Sequence, residues 1–140
     1  MKKLIIILTL ALAATFETYA QLPDYTVAKR ATRKNLVVKE WNTDARSKTR
    51  WLDRVTTYDE QGRKIEEIEY AQYGQKWRET FEYGENDKVV KEVRYDDKNK
   101  PEVIKKYEYN SENRKVKQYN YAPNGKLQTI KVFEYIMDVE

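Results

Sequence analysis

YDEQGRKIEEIEY, residues 58–70, begins and ends with a tyrosine and contains a turn-like cluster followed by a short run rich in isoleucine and glutamate. Further tyrosines follow at positions 83, 95, 109, 121 and 135, at steps of 12 to 14 residues. Every second tyrosine is therefore separated from the next of its set by 25 or 26 residues. Such a period fits two short strands with their two turns, so the spacing predicts repeated β-hairpins.

Turn-forming residues recur between these tyrosine-ended runs. Asn, Asp and Gly supply the left-handed backbone and the local hydrogen bonds that a tight reversal requires. The clusters are DEQG (59–62), AQYG (71–74), GEND (84–87), DDKN (96–99), NSEN (110–113) and APNG (122–125). About eight to ten residues lie between successive turns, a length that suits strands and is short for helices.

Connections this short predict that neighbours in sequence are antiparallel neighbours in space, because parallel strands need a crossover of about a dozen residues. Two upstream runs, 35–41 and 49–58, complete a set of about eight strands. We therefore predict an all-β fold, an antiparallel up-and-down meander of repeated β-hairpins that forms a single curved sheet or a partly closed barrel. Its tyrosines should form two rows, 58, 83, 109 and 135 at one end and 70, 95 and 121 at the other.

Two local features refine this prediction. Ile65, Val90 and Val116 each stand three residues before the next apolar side chain, whereas strand side chains repeat every two residues. A one-residue bulge would bring both onto one face, and strict alternation is the alternative. A tyrosine at a strand end is expected to bury its ring on the previous hairpin and to keep its hydroxyl in water.

The first twenty residues predict a secretory signal peptide. A charged start, Met1-Lys2-Lys3, precedes an apolar run over 4–16, and Thr18 and Ala20 are suitably small for cleavage after Ala20. This apolar run is too short for a membrane span, which would need roughly 20 apolar residues. A buried N-terminal helix is the alternative to a signal peptide. The predicted organisation is signal peptide 1–20, an N-terminal lead-in 21–34 that is helical or extended, and a β-repeat domain 35–140.

Composition narrows the location and the partners. The chain contains no cysteine, so neither a lipoprotein anchor nor a disulfide is expected. Without residues 1–20, 25 of the 27 basic and 22 of the 23 acidic residues remain, spread evenly along the chain. Nucleic-acid binding requires basic residues that are segregated onto one face, and the even spread does not provide this. A membrane barrel requires an apolar outer band, which the lysine-rich strands would interrupt. We expect a periplasmic or secreted protein with no nucleic-acid partner and no membrane insertion after signal cleavage.

Catalytic chemistry has few candidate groups. The absence of His and Cys excludes a His-assisted serine, a thiolate nucleophile and the usual zinc ligand sets. Paired carboxylates could act in glycoside cleavage, but their position beside basic strands favours cross-strand ion pairs. The candidates are Glu66, Glu67, Glu69, Glu79, Glu82, Asp96 and Asp97. We expect no enzymatic activity, no cofactor and no metal site.

Binding is the remaining function, and aromatic side chains are its candidates. Exposed aromatic patches often mark interaction sites, although stacked rings that only support the fold are the alternative. The candidate aromatic surface consists of Trp41, Trp51, Trp77, Tyr58, Tyr83 and Tyr109. A protein, a peptide or a glycan is the expected partner. A self-associating role would be favoured if an edge strand near Leu36 or Phe133 were unpaired, while Lys126 and Lys131 resemble edge protection.

The motif Y-D-x-x-G-R at residues 58–63 resembles the tyrosine-aspartate (RHS-like) repeats of large secreted shell proteins, and NGKL at 124–127 resembles hairpin-repeat modules of some immunity proteins. The likeness extends over 58–135, although Gly84, Asn110 and Ala122 replace the aspartate. The whole chain resembles small exported proteins of gut Bacteroidota that form a family with a domain of unknown function. These resemblances imply export and a β-meander, and they supply no catalytic residues.

Overall fold

The structure, a computed structural model, describes residues 24–137. The predicted signal peptide lies outside the described residues. One helix precedes eight strands. These are α1 (Asp24–Ala31), β1 (Val37–Thr43), β2 (Arg50–Tyr58), β3 (Lys64–Ala71), β4 (Gly74–Tyr83), β5 (Val89–Tyr95), β6 (Pro101–Tyr109), β7 (Lys115–Tyr121) and β8 (Leu127–Val132).

The eight strands form one antiparallel sheet in which spatial order follows chain order from β1 to β8. The predicted all-β meander is therefore confirmed. Of the two predicted forms, the sheet is the open one, because β1 and β8 each pair on one side only. Helix α1 occupies the segment for which the sequence left helical and extended conformations open.

Five of the turns share one geometry. In each, the residue after the tyrosine accepts a backbone hydrogen bond from the fourth turn residue, as Asp59 does from Gly62. That fourth residue has a left-handed backbone in all five turns, which explains why only Gly, Asp and Asn occur there. The φ values are 73° at Gly62, 56° at Asp87, 59° at Asn99, 59° at Asn113 and 83° at Gly125.

Each of these turns is followed by a β-bulge. Tyr58 pairs with Lys64 while Thr57 pairs with Glu66, so Ile65 is the extra residue. Val90 and Val116 are the extra residues at the corresponding points of β5 and β7. The structure thus confirms the predicted bulges at all three positions.

The sheet has a single layer and almost no enclosed core. Among the described residues only Thr56, Gly62 and Val93 are buried, and Val93, at 6% exposure, is the one with an apolar side chain. Most other side chains of β2 to β7 are half-buried, because neighbouring strands cover them from the sides. Stability must therefore come mainly from cross-strand side-chain pairs, which contribute roughly 0.2–1 kcal/mol each.

Tyrosines at one end of the sheet connect successive hairpins. The hydroxyl of Tyr83 donates to the carbonyl oxygen of Lys64, that of Tyr109 to Val89 and that of Tyr135 to Lys115, each at 2.7 Å. In each case the acceptor residue is the one that pairs with the previous tyrosine of the row. The prediction that these hydroxyls stay in water is wrong for Tyr83 and Tyr109, whose part-buried hydroxyls bond to carbonyls that the ladder with the next strand does not reach. The Tyr135 hydroxyl makes the same bond at an exposed position.

Removing one of these hydroxyls should weaken folding measurably. We expect Tyr109→Phe to lower the free energy of unfolding by about 0.5–1.5 kcal/mol, since the Val89 carbonyl loses its donor. Urea denaturation would show a lower midpoint with an unchanged slope. Tyr95→Phe is the matched control, because its hydroxyl has no protein partner among residues 24–137. Equal effects of the two substitutions would contradict the assigned role.

Candidate functional site

The candidate aromatic surface is divided between the two ends of the sheet. Tyr58, Tyr83 and Tyr109 are the last residues of β2, β4 and β6, so they lie together at one end. Trp51 is near the start of β2, Trp77 near the start of β4 and Trp41 near the end of the antiparallel β1, so all three lie toward the opposite end. The structure therefore does not gather the six rings into one patch.

Cationic side chains cover many of these rings. The Arg50 guanidinium lies 4.4 Å from the centre of the Trp41 ring, and that of Arg94 lies 4.6 Å from Trp77. Arg33 and Arg63 lie over Tyr58 and Tyr83 in the same manner. A cation over an aromatic face stabilises the fold and occupies the surface that a sugar ring would need. Trp41 is the most exposed of the three tryptophans, at 47%.

Several tyrosine hydroxyls already form hydrogen bonds within the sheet. Burial raises the pKa of Tyr83 and Tyr109 above the ordinary value for a phenol. Burial and the hydrogen bond to the Glu92 carboxylate raise the pKa of Tyr107, whose hydroxyl donates to Glu92 at 2.8 Å. These phenols therefore remain protonated hydrogen-bond donors at neutral pH.

The candidate carboxylates are mostly paired with cations. Glu66 accepts from Arg78 at 3.1 Å, Glu82 from Lys91 at 3.0 Å and Glu69 from Lys76 at 2.9 Å. Glu67 pairs with Lys64, Glu79 lies 3.7 Å from Arg94, Asp96 accepts turn amides and Asp97 is exposed.

Two of these carboxyls have depressed pKa values. The hydrogen bond from Lys76 lowers the pKa of Glu69, and the backbone amide of Lys100 lowers that of Asp96. A general acid in glycoside cleavage needs a raised pKa, so neither suits that role. Within residues 24–137 no group of three acidic side chains is placed to hold a metal ion.

Residues 24–137 line at least two open depressions on the surface. One, of about 480 Å³, lies between α1 and the β2–β3 turn and is lined by Val27, Ala31 and Gln61 among others. The second, of about 500 Å³, crosses β4 to β7, and its polar groups already bond to one another, as Tyr119 does to Glu108. Among the described helices none is long and apolar enough to span a bilayer.

The two open edges of the sheet present exposed side chains and unpaired backbone groups. Every residue of β1 and of β8 is exposed, whereas each inner strand contains half-buried residues. Apolar side chains on β8 include Ile130 and Val132, the latter 62% exposed, and Val37 and Trp41 on β1 are exposed as well. An edge strand also presents unpaired backbone donors and acceptors, which can pair with another strand.

The orientation of these free backbone groups follows from the pairing of β8 with β7. The amide of Phe133 donates inward to Val116, and strand amides alternate in direction, so those of Ile130 and Val132 point outward. On β1, the amide of Tyr58 donates to Leu36, which places the amides of Val37 and Lys39 on the open side. The strand order predicted from the sequence placed the two edges near Leu36 and Phe133, and Trp41 was already a candidate aromatic residue. The direction of the free amides could not be read from the sequence, because it depends on the pairing register.

Comparisons with known proteins add a weak likeness. No protein-family model and no curated protein matches the chain. One similar solved structure is that of a GtfA/B complex bound to UDP and GlcNAc, at 14% identity and a TM-score of 0.32. The alignment covers 67% of this chain and 19% of that one. A likeness this distant carries no conclusion about function.

Proposed function

We propose that the protein is an exported, non-enzymatic interaction module that binds another polypeptide by strand addition at the edges of its sheet. Strand addition gives affinity through backbone hydrogen bonds and specificity through the side chains beside them. The observation that carries the proposal is the pair of outer strands, β1 and β8, each of which has no neighbour on its outer side and is exposed along its whole length.

The faces of the sheet support this proposal less directly. Most of the candidate carboxylates are engaged in ion pairs, four of the six candidate rings carry cations, and the hydroxyls of Tyr83 and Tyr109 bond to the backbone. Glycan binding remains a second candidate because Trp41 is half exposed at the end of β1. It predicts quenching of tryptophan fluorescence by cell-surface polysaccharides, which Trp41→Ala would abolish and Trp77→Ala would not.

The edge proposal predicts that a proline on β8 abolishes binding. In Val132→Pro the lost amide points outward, so no bond to β7 is removed and the free edge loses a donor. The partner recovered by mild crosslinking from the exporting cells should be lost with Val132→Pro. Val132→Ala, which shortens the side chain and keeps the amide, should retain it. Recovery of free monomer alone from the wild type would contradict the proposed function, and a partner insensitive to the proline would place binding elsewhere.

Export is expected to remove the first twenty residues. The mature protein in the periplasm or medium should begin at Gln21, as measured by intact mass and N-terminal sequencing. Ala20→Phe should leave an uncleaved precursor, because signal cleavage requires a small residue at that position. A chain that keeps residues 1–20 in the cytosol would overturn this part of the proposal.

A further inference from the structure

The two open edges carry the same sequences that pair in the middle of the sheet. β4 ends in Phe-Glu-Tyr at 81–83, and the chain after β8 reads Phe-Glu-Tyr at 133–135. β5 begins Val-Val-Lys-Glu at 89–92, and β1 begins Val-Val-Lys-Glu at 37–40. The first sequence of each pair belongs to the inner β4–β5 junction, and the second lies at an edge without a neighbour.

The β4–β5 junction shows how these sequences fit together. Phe81 lies opposite Glu92, Glu82 opposite Lys91 and Tyr83 opposite Val89, with Val90 as the bulge residue. The Lys91 ammonium group donates to the Glu82 carboxylate at 3.0 Å. Pairs of opposite charges, such as Glu82 with Lys91, and pairs of an aromatic with a β-branched residue, such as Tyr83 with Val89, stabilise a sheet.

Strand β8 is shorter than the corresponding strands β2, β4 and β6 predict. β2, β4 and β6 each run to the tyrosine of the row, whereas β8 ends at Val132, three residues before Tyr135. Tyr135 is nevertheless in place, because its hydroxyl donates to the Lys115 carbonyl as Tyr83 and Tyr109 do to theirs. Residues 133–135 therefore lie where a further strand on the open side would complete their pairing.

β1 in turn has the features of a strand that follows another. Asn35, two residues before Val37, has a φ of 51°, and Asp87, two residues before Val89, has a φ of 56°. The outward amides of Val37 and Lys39 are free to bond. Helix α1 leaves this side open, since its Arg30 contacts Asp87 in the β4–β5 turn, on the other side of β1.

We propose that β8 of one copy pairs antiparallel with β1 of a second copy, in the register of the β4–β5 junction. Tyr135 would then face Val37 of the second copy, Glu134 would face Lys39, Phe133 would face Glu40, and Val38 would be the bulge residue. The proposal rests on the proposed function and names its strand donor as a second copy of this chain. An interface of this head-to-tail type adds copies in a row unless its rotation closes a ring.

Other pairings of the edges reproduce fewer of these contacts. Pairing of β8 with a second β8 would bring together none of the three residue pairs seen between β4 and β5. Pairing of β8 with β1 of the same chain would close the sheet, which is open. Lys131 does not prevent the proposed contact, because the same register places it opposite Asn42.

Site-directed crosslinking tests the register, and the absence of cysteine from the chain makes it clean. Directly opposed residues have Cα atoms about 4.5–5.5 Å apart, within the span of a disulfide. A mixture of Lys131→Cys and Asn42→Cys proteins should give a disulfide-linked heterodimer under mild oxidation. A mixture of Lys131→Cys and Lys39→Cys, offset by three residues or about 10 Å, should give none.

Charge exchange tests the same contact without crosslinks. Glu134→Lys and Lys39→Glu should each weaken self-association about three- to tenfold in sedimentation measurements, because like charges then face each other. The double variant should restore it. Val132→Pro should abolish association, and Val132→Ala should not.

A protein that stays monomeric at high concentration would overturn the proposal, as would equal crosslinking in both registers. A disulfide formed within one chain of the doubly substituted Lys131→Cys, Asn42→Cys protein would instead indicate a closed sheet. If the monomer still captured a different protein in a manner blocked by Val132→Pro, only the identity of the partner would be wrong. If the protein neither associated with itself nor captured a different protein at this edge, the proposed function would be wrong as well.

Discussion

Gly62→Ala is expected to lower the free energy of unfolding by about 2–5 kcal/mol. Gly62 is buried beneath the end of α1, and an added Cβ would overlap the carbonyl oxygen of Arg30 and lie 2.9 Å from its carbonyl carbon. Its φ of 73° is also unfavourable for alanine. The helix must shift or the turn must change, and thermal or urea denaturation would measure the loss.

Gly125→Ala separates these two causes. Gly125 is the corresponding residue of the last turn, with a φ of 83°, and an added Cβ would meet no atom within 4 Å. This substitution should cost only about 1–2 kcal/mol, the penalty for left-handed backbone alone. Equal losses at both positions would mean that the contact between α1 and the β2–β3 turn adds no stability.

Val93→Asp is expected to have the second large effect. Val93 lies opposite Thr80 on β4 and Ile104 on β6, and it is the one buried apolar residue among those described. Aspartate there would lose the apolar contact and place an unpaired charge in a covered position. A loss of about 3 kcal/mol or more follows, enough to unfold a protein of ordinary stability.

Val132→Asp is the matched control for this substitution. Both valines are strand residues, but Val132 is 62% exposed on the outer strand. The control should change stability by about 1 kcal/mol at most, which is the range of strand propensity. Circular dichroism during denaturation would compare the two. A tolerated Val93→Asp would show that the sheet does not depend on its single buried valine.

The repeat made much of the fold predictable. Each turn is local, with Asn, Asp or Gly where the backbone must be left-handed, so its position can be read from a few residues. Short turns then force antiparallel neighbours, which fixes the strand order. The bulges at Ile65, Val90 and Val116 followed from a three-residue apolar spacing that a regular strand cannot accommodate.

Features that depend on contacts distant in sequence were less accessible. The tyrosine hydroxyls reach carbonyls about 20 residues earlier in the chain, and α1 rests on a glycine about 30 residues later. The near absence of a core was not predictable either, because strand patterns do not reveal whether anything covers the sheet. The aromatic residues were candidates for ligand binding, and the sequence pattern gave no sign that arginine lies over four of the six rings.

The sequence predicted sheet edges near Leu36 and Phe133, but the strand that could pair with each edge was identified only once the register was known. Val-Val-Lys-Glu and Phe-Glu-Tyr each occur twice in the sequence, but their pairing could be inferred only from the contact between β4 and β5. Lys126 and Lys131 had suggested protected edges. With the amide directions known, the exposed β8 strand still offers free donors at Ile130 and Val132.

Amide hydrogen exchange on dilute protein tests the open, single-layer sheet most directly. In dilute solution, where copies do not meet, the outward amides of Val37, Lys39, Ile130 and Val132 should exchange rapidly, while those of β4 and β5 exchange slowly. If both outer strands were as well protected as β4 and β5, the sheet would have to be closed or covered, and the proposed binding edges would not exist.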